Sequence, residues 1–315
     1  MRRGKISIVG GAGNVGLTCA VLFAERGYAD LVLVDLKEDR ARGKALDVLQ
    51  FATLAGTDIS VTGTADYEAV EGSDIIVVTA GRTRKPGESR ADMVEYAKNI
   101  MAGSKKNPGI IPSVALHAPD SMILMVSNPV DVMTYVAYRV SGFPKNRVFG
   151  QVGVLDSARF KTLIAKELGV SVKDVQACVL GEHGASMVPL TRHSMVAGIP
   201  LTERLSGEQI DRIVERTRNG GGEIVELAEE GAYFAPAAAV REMVEAILFD
   251  KKQILPCSTF LEGEYEIEGI CIGVPVSFGR DGVEEIVELS LNEEEAEALR
   301  ESAERIREIT ALTEL

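Results

Sequence analysis

The glycine-rich segment Gly11-Ala12-Gly13-Asn14-Val15-Gly16 constrains the fold of this chain more than any other feature. It directly follows the apolar, β-prone run Lys5–Val9 and opens a helix-like stretch that continues to about Arg26. Glycines at these spacings allow a tight turn, close approach of the backbone to a pyrophosphate, and close packing of strand on helix. A helix N-terminus also offers free N–H groups and the positive end of its dipole to phosphate. The segment therefore predicts a βαβ unit that binds a dinucleotide.

Asp35 ends the next β-prone run, Leu31–Asp35, and stands 19 residues after Gly16. A carboxylate at this place can accept hydrogen bonds from the ribose hydroxyls of NAD and repels the 2′-phosphate of NADP. Leu36 follows it, with no adjacent arginine to bind such a phosphate. The two features together favour NAD. The alternative is a structural turn followed by a solvated aspartate.

Short apolar runs alternate with helical patterns through the first half of the chain. After Leu31–Asp35 the pattern predicts a helix over Arg40–Ala55, then strands over Ile59–Thr62, Asp74–Thr79 and Met122–Ser127. Nearly continuous apolar strands are typical of a parallel sheet that helices cover on both faces. The first half is therefore predicted to be a doubly wound parallel (Rossmann) sheet of the α/β class.

The second half mixes longer helices with more widely spaced strands. The pattern predicts helices over Val154–Leu168, Gly207–Ala228, Pro236–Phe249 and from Asn292 onward, and strands over Ala177–Leu180, Ile254–Thr259 and Cys271–Ser277. A chain of 315 residues is long enough for two domains. We assign residues 1–142 to an NAD-binding Rossmann domain and residues 143–315 to an α+β domain that binds substrate and carries the catalytic residues.

Composition excludes several classes of protein. The formal net charge of −13 argues against a nucleic-acid binder, which needs a positive face for phosphates. The sequence has no signal-peptide pattern, and no apolar run approaches the roughly 20 residues that span a bilayer. The four cysteines are widely separated, which is typical of reduced thiols and not of a metal site or a disulfide framework. We expect a cytoplasmic protein without a metal ion.

His183 is the candidate proton-transfer residue among the three histidines. It lies in Gly181-Glu182-His183-Gly184, directly after an apolar, strand-like run. An imidazole at the end of a strand can reach a substrate and exchange a proton with it near neutral pH. His117 and His193 lack such surroundings, so we interpret them as surface or locally hydrogen-bonded histidines.

Asp156 and Arg159 lie three residues apart, on one face of a predicted helix. A surface ion pair is the ordinary interpretation of such spacing. The flanking residues are mostly apolar and small, however, so a buried Asp156 could orient an imidazolium while Arg159 binds a carboxylate with two parallel hydrogen bonds. The spacing alone does not indicate whether either residue meets His183.

A basic loop follows the strand that ends at Thr79. Its four cations are Arg82, Arg84, Lys85 and Arg90. In a chain with a surplus of negative charge, this concentration predicts a lid that closes over an anionic ligand. The alternative is a solvated basic loop.

Taken together, these segments resemble the lactate/malate dehydrogenase superfamily over nearly the whole chain. The similarity is greatest to the lactate-dehydrogenase-like branch of malate dehydrogenases. It is carried by the segments GAGNVG, LVLVD, TAGRTRKPGESR, VSNPVDVMTYVAYRVSG, GVLDSARF, LGEHG, YFAPAAAV, KKQILPC and EGEYEIEGICIGVPV.

The resemblance implies a role for each candidate residue. His183 would accept the hydroxyl proton as malate is oxidised, and Asp156 would stabilise the resulting imidazolium. Arg159 would hold the carboxylate next to the reacting carbon, and Arg90 would polarise the carbonyl. Asn128 would hydrogen-bond the substrate beside the nicotinamide, with a cis bond to the proline that follows.

Arg84 lies six residues before Arg90, where the family distinguishes its substrates. An arginine there matches the second carboxylate of malate or oxaloacetate, so the resemblance implies a malate dehydrogenase. Arg82 could compete with Arg84 for this carboxylate. Glu88 and Glu182 match the lactate branch better, which keeps lactate or another 2-hydroxy acid as the alternative substrate. A non-catalytic NAD(H)-binding sensor is the alternative of a different class.

The remaining expectations concern cofactor contacts and assembly. The predicted contacts with NAD are Gly11, Gly13, Asn14, Val15, Gly16, Asp35, Thr79, Ala80, Gly81, Asn99, Val126 and Asn128. The resemblance also implies a homo-oligomer, as a tetramer or a dimer, and a place in the tricarboxylic acid cycle. Residues 102–119 form a stretch for which the sequence indicates no function.

Overall fold

Six parallel strands form one part of the main sheet in the computed structural model, which describes residues 4–81, 89–104 and 107–315. The strands are β1 (Gly4–Val9), β2 (Ala29–Val34), β3 (Val61–Thr64), β4 (Ile75–Val78), β5 (Met122–Met125) and β6 (Val148–Gly150). They pair in the order β3-β2-β1-β4-β5-β6. The strand order reverses between β1 and β4, and in open parallel sheets such a switch point opens a crevice at the carboxyl ends of the strands.

Helices cover both faces of these strands, as the apolar pattern predicts. They are α1 (Asn14–Arg26), α2 (Glu38–Leu54), α3 (Arg90–Ala102), α4 (Ile110–His117) and α5 (Val130–Ser141). Ile75 and Val77 of β4 pack into the same core as α1 and α2, whereas Ile76 and Val78 pack into the core with α3, α4 and α5. The sheet is therefore buried on both faces, which confirms the predicted α/β class.

Three antiparallel strands from the second half extend the same sheet. They are β12 (Gln253–Glu262), β13 (Glu268–Gly279) and β14 (Gly282–Ile286), and β12 joins β6 where Ser258 pairs with Gly150. The helices of this half are α6 (Gly153–Leu168), α7 (Leu201–Arg204), α8 (Gly207–Ala228), α9 (Phe234–Leu248) and α10 (Glu293–Ala311). Across the described ranges, no helix is both long enough and apolar enough to cross a bilayer.

The short strands of the second half differ from the prediction. The strand expected over Ala177–Leu180 is shorter than predicted and covers only Val179–Leu180, which is β8. A separate short strand, β7 (Val175–Gln176), precedes the predicted range and belongs to a different small sheet. β8 pairs with β9 (Val188–Pro189), β7 pairs with β10 (Met195–Val196), and β10 pairs in turn with β11 (Ile199–Pro200). The last parallel strand, β6, lies beyond residue 142, where the sequence analysis places the domain boundary. That boundary stays a prediction.

An aromatic pair holds the parallel and antiparallel parts of the sheet together. Phe149 of β6 and Phe278 of β13 are both fully buried, and their ring centroids lie 5.1 Å apart in an edge-on arrangement. Such a pair contributes its buried apolar area and about 1 kcal/mol from the ring geometry. The two parts of the chain therefore share one continuous hydrophobic core.

We predict that Phe149→Ala lowers the free energy of unfolding by about 3–5 kcal/mol, because it opens a cavity beside Phe278. Urea unfolding followed by circular dichroism measures the loss. Leu116→Ala is the matched control, since Leu116 is 74% exposed on α4 and its truncation should cost less than about 0.5 kcal/mol. Equal losses of unfolding free energy in the two variants would show that the ring pair does not hold the parallel and antiparallel parts of the sheet together.

Candidate active site

The glycine-rich turn lies between β1 and α1, at the reversal of strand order. A Cβ atom on Gly16 would lie 2.5 Å from the carbonyl oxygen of Gly10, and one on Gly11 would lie 2.8 Å from Cβ of Leu33. Both positions therefore require glycine. Gly13 is the N-cap of α1 and has no side chain that could bond the first N–H groups of the helix. These N–H groups are left to a ligand, as a bound pyrophosphate requires.

Asp35 follows β2 directly and lies beside this turn. Its Oδ2 accepts a hydrogen bond of 3.2 Å from the N–H of Ala12. The carboxylate is half-buried, so it keeps a face that can accept hydrogen bonds from a ribose. The turn, the open helix end and this carboxylate together fit an NAD molecule, and the negative charge opposes a 2′-phosphate.

A cleft of about 810 Å³ opens at the carboxyl ends of the parallel strands. Its walls carry many of the residues that the sequence singles out, namely Gly13, Asn14, Val15, Gly16, Thr79, Gly81, Val126, Asn128 and His183. The Asn128–Pro129 peptide is cis, as the resemblance implies. The structure therefore gathers the predicted turn, strand ends and histidine around one cavity.

His183 and Asp156 form a hydrogen-bonded pair at this cleft. Nδ1 of His183 lies 2.8 Å from Oδ2 of Asp156, although the two residues are 27 positions apart in the chain. The Asp156 side chain is 1% exposed, whereas that of His183 is 19% exposed. The carboxylate thus holds Nδ1 and leaves Nε2 of the same ring for a ligand in the cleft.

Arg159 completes a chain of charges with this pair. Its guanidinium donates a hydrogen bond of 3.0 Å to Oδ1 of Asp156, so the two oxygens of Asp156 bond different partners. A guanidinium carries five N–H donors. Arg159 therefore keeps donors for an anionic group after it has bonded Asp156.

The surroundings of His183 favour its charged form. Burial of the ring opposes that form, but the negative charge and hydrogen bond of Asp156, with the charge of Asp131, outweigh burial and the nearby Arg159. The pKa of His183 is therefore raised above its usual 6.5. An imidazole of this kind can accept a proton and hold it near neutral pH.

Several predicted residues do not line the cleft. Asp156 and Arg159 are joined to it through the hydrogen bond of Asp156 with His183, and Gly11 and Asp35 lie at the glycine-rich turn. Asn99 is exposed on α3 and does not line the cavity, and Ala80 borders a smaller cavity next to it. Arg82 and Arg84 lie outside the described residues. Arg90 begins α3, but its side chain also lies outside the described part. Their predicted contacts with substrate and cofactor stay predictions.

The structure also adds residues that the sequence analysis does not identify. Asp131 accepts a hydrogen bond from the backbone N–H of His183, and Ser258 donates to the same carboxylate. Asp131 interrupts the apolar start of α5, and an acid among apolar residues is visible in the sequence. Ser258 carries no comparable signal. Across the described ranges, no cluster of three or more His, Cys, Asp or Glu residues could hold a metal ion.

Two family models match consecutive parts of the chain. The model for the lactate/malate dehydrogenase NAD binding domain matches residues 4–150. The model for the lactate/malate dehydrogenase alpha/beta C-terminal domain matches residues 153–314. Together they account for nearly the whole sequence, and their order agrees with the parallel and antiparallel parts of the sheet.

Similar proteins of similar length carry the name malate dehydrogenase. That of Roseiflexus sp. (strain RS-1) is 53% identical over 305 residues, which cover 96% of both chains. That of Bacillus subtilis (strain 168) is 50% identical over 310 residues, which cover 98% of this chain and 97% of the relative. The solved apo structure of malate dehydrogenase from Picrophilus torridus has a TM-score of 0.92 at 41% identity, over 99% of this chain and 98% of that one.

We predict that Asp35→Ser lowers the preference for NADH over NADPH, expressed as the ratio of their two dissociation constants, by about tenfold. The substitution removes a charge that repels the 2′-phosphate. Fluorescence titration with each dinucleotide measures the ratio. Asp39→Ser is the charge-matched control, since Asp39 is exposed in the first turn of α2. An equal change in both variants would mean that net charge, and not the position of Asp35, sets the preference.

Proposed function

This chain belongs to the lactate/malate dehydrogenase family, and we propose that it catalyses the reversible, NAD-dependent oxidation of (S)-malate to oxaloacetate. The observation that carries this proposal is the hydrogen-bonded pair of buried Asp156 and His183, whose histidine lines the cleft, with Arg159 on the other oxygen of Asp156. This arrangement can move a proton and bind a carboxylate at the same place. Both actions are needed to oxidise a 2-hydroxy acid.

Bound NAD⁺ supplies the acceptor for the hydride that leaves C2 of malate. Nε2 of His183 accepts the hydroxyl proton, so the carbonyl forms without a charged oxygen. Asp156 stabilises the imidazolium through Nδ1 and keeps the ring in one orientation. In the reverse direction the same imidazolium returns its proton to the carbonyl oxygen of oxaloacetate.

Arg159 binds the carboxylate next to the reacting carbon. Its side chain runs along α8, where Gly220 and Gly221 leave room for it. A Cβ atom on Gly220 would lie 3.3 Å from Cδ of Arg159, and one on Gly221 would lie 3.6 Å from its Nη2. The glycines thus let the arginine pass close to the helix backbone. Its position is set by Asp156 on one side and α8 on the other.

The basic loop completes the substrate site in this proposal. Arg90 polarises the carbonyl, Asn128 hydrogen-bonds the substrate, and Arg84 binds the distal carboxylate that malate has and lactate lacks. An arginine that is left unpaired in a closed, dry site is costly, which disfavours pyruvate. Lactate or another 2-hydroxy acid is the alternative substrate, favoured by Glu88 and Glu182 in the sequence.

Assembly and location are further parts of the proposal. Large apolar side chains are exposed on α2 and α8, namely Leu46, Leu54, Val225 and Leu227. Such surfaces support a homo-oligomer, a tetramer or a dimer, which sedimentation velocity distinguishes. All four cysteines are free thiols, which supports the reducing environment of the cytoplasm. The reaction is a step of the tricarboxylic acid cycle.

We predict that the chain oxidises NADH with oxaloacetate at least about 100-fold faster than with pyruvate, measured as kcat/KM from absorbance at saturating NADH. Arg84→Gln should lower this ratio more than Arg82→Gln, because it removes the partner of the distal carboxylate; a larger fall in Arg82→Gln would assign that carboxylate to Arg82 instead. A wild-type preference for pyruvate would refute the malate proposal. Tight NADH binding without turnover of either acid would support a sensor instead.

We predict that Gly220→Ala lowers kcat/KM for oxaloacetate by about tenfold, because the added methyl displaces Arg159. Gly222→Ala is the matched control, since a Cβ there meets no atom of the described residues within 4 Å. Both variants should gain up to about 1 kcal/mol of stability from helix propensity. Equal activities in the two variants would contradict the role of Gly220.

A further inference from the structure

The loop that carries His183 is held by three consecutive backbone N–H groups, each bonded to a different element. The N–H of Gly181 donates to the carbonyl of Gly273 in β13 at 2.9 Å. The N–H of Glu182 donates to Oγ of Ser302 in α10 at 2.8 Å. The N–H of His183 donates to Oδ2 of Asp131 in α5 at 2.9 Å. The third contact is the only one of these three made to a side chain that can carry charge.

Asp131 is a buried carboxylate with no direct part in the proton transfer described above. It is 3% exposed, and its Oδ1 accepts a hydrogen bond of 2.6 Å from the fully buried hydroxyl of Ser258. Both of its oxygens are therefore satisfied. Burying an apolar side chain at this place would cost less free energy than burying a carboxylate. The presence of Asp131 here therefore calls for a functional explanation.

The charges around His183 come from each of the elements that pack against it. Asp156 and Arg159 face it from α6, Asp131 faces it from α5, and Glu182 precedes it in the same loop. Arg305 of α10 lines the same cleft. The buried thiols of Cys257 and Cys271 lie near Asp131 on β12 and β13. Of these groups, Asp131 is the acid that bonds the backbone of His183.

We propose that Asp131, supported by Ser258, is a positioning residue for His183: it holds the backbone of the proton-transfer residue and adds a second negative charge that favours the imidazolium. The inference rests on the proposed function of His183. Asp156 acts on the ring, whereas Asp131 acts on the main chain of the same residue. In this proposal two negative charges stabilise the imidazolium, with Asp156 bonded to the ring and Asp131 bonded to the backbone N–H of the same residue.

The variant Asp131→Asn separates this role from a structural one. The amide oxygen can still accept the N–H of His183, and Ser258 can turn its hydroxyl to accept from the amide nitrogen. The contacts are thus kept while the charge is lost. The pKa of His183 should fall by about half a unit to one unit, since a neighbouring negative charge is removed.

Nuclear magnetic resonance measures this pKa directly. The chain has three histidines, so His183→Asn identifies the ring signals of His183 in the apoprotein. In activity, the alkaline limb of oxaloacetate reduction needs the imidazolium and should move to lower pH by the same amount. The value of kcat should fall about tenfold while KM changes little. An unchanged pKa with an unchanged pH profile would overturn the proposal.

The stability of Asp131→Asn gives an independent readout. Burial raises the pKa of Asp131 from 3.8 to about 6, although the hydrogen bonds of Ser258 and His183 lower it. The wild-type protein therefore loses stability as the pH rises between about 4 and 6, because the acid ionises in the unfolded state while it stays protonated in the native state. The neutral variant lacks this loss and should unfold at an equal or higher temperature above pH 6. A parallel loss of stability and activity would mean that Asp131 is merely structural.

Ser258→Ala tests the same inference if Asp131→Asn does not fold. Without the hydroxyl donor the pKa of Asp131 rises further, so less of it is ionised at pH 7 and the pKa of His183 should fall by a smaller amount. Thr259→Val is the control, because the buried hydroxyl of Thr259 has no partner in the described part of the chain. If the pKa of His183 fell by the same amount in Ser258→Ala and Thr259→Val, the role of Ser258 would be refuted.

These outcomes separate the inference from the proposed function. The magnetic resonance titration uses the apoprotein and needs no substrate. If the wild-type protein turned over neither oxaloacetate nor pyruvate, the shift of the His183 pKa in Asp131→Asn would still support the charge role of Asp131. Conversely, malate dehydrogenase activity with an unshifted pKa would overturn the inference and leave the proposed function intact.

Discussion

A carboxylate that is 1% exposed must find partners inside the protein, and Asp156 finds two, one of which, His183, lines the cleft. One oxygen bonds the ring of His183 and the other bonds Arg159, so the burial of a single acid orients two functional side chains. A buried charge with one partner removed is strongly destabilising. The geometry of His183, the proposed proton-transfer residue, is thus coupled to the stability of the fold around it.

This coupling depends on the place where the strand order of the sheet reverses. The parallel strands end at one edge, and the reversal between β1 and β4 opens the crevice that the glycine-rich turn lines. The turn brings α1 close to β1 because Gly11 and Gly16 carry no Cβ. The antiparallel strands then continue the sheet from β6, and Ser258 on β12 comes within reach of Asp131. The glycine-rich turn and the residues around Asp131 therefore rest on one sheet.

The sequence predicts much of this arrangement, but only where local pattern carries the information. The bounds of α8 agree with the prediction over Gly207–Ala228, because Ser206 and Gln209 form a capping box that marks its start. The strand predicted over Ala177–Leu180 covers only Val179–Leu180 in the structure, since a strand of two residues has no periodicity to detect. The motifs indicate His183 and Asp156 as partners only through the family resemblance. Ser258 lies 127 positions from Asp131, and such a contact exists only after the sheet has formed.

Burial alone does not explain why two acids, Asp156 and Asp131, lie near His183. Asp156 is matched by a guanidinium and by an imidazole whose pKa is raised. Among the described residues, the hydrogen bonds to Asp131 come from neutral donors, a hydroxyl and a backbone N–H, and burial raises its pKa. An isolated acid in that position destabilises the native protein at neutral pH. In the role proposed for Asp131, its charge favours the imidazolium of His183, so part of this cost in stability is offset when His183 takes up a proton.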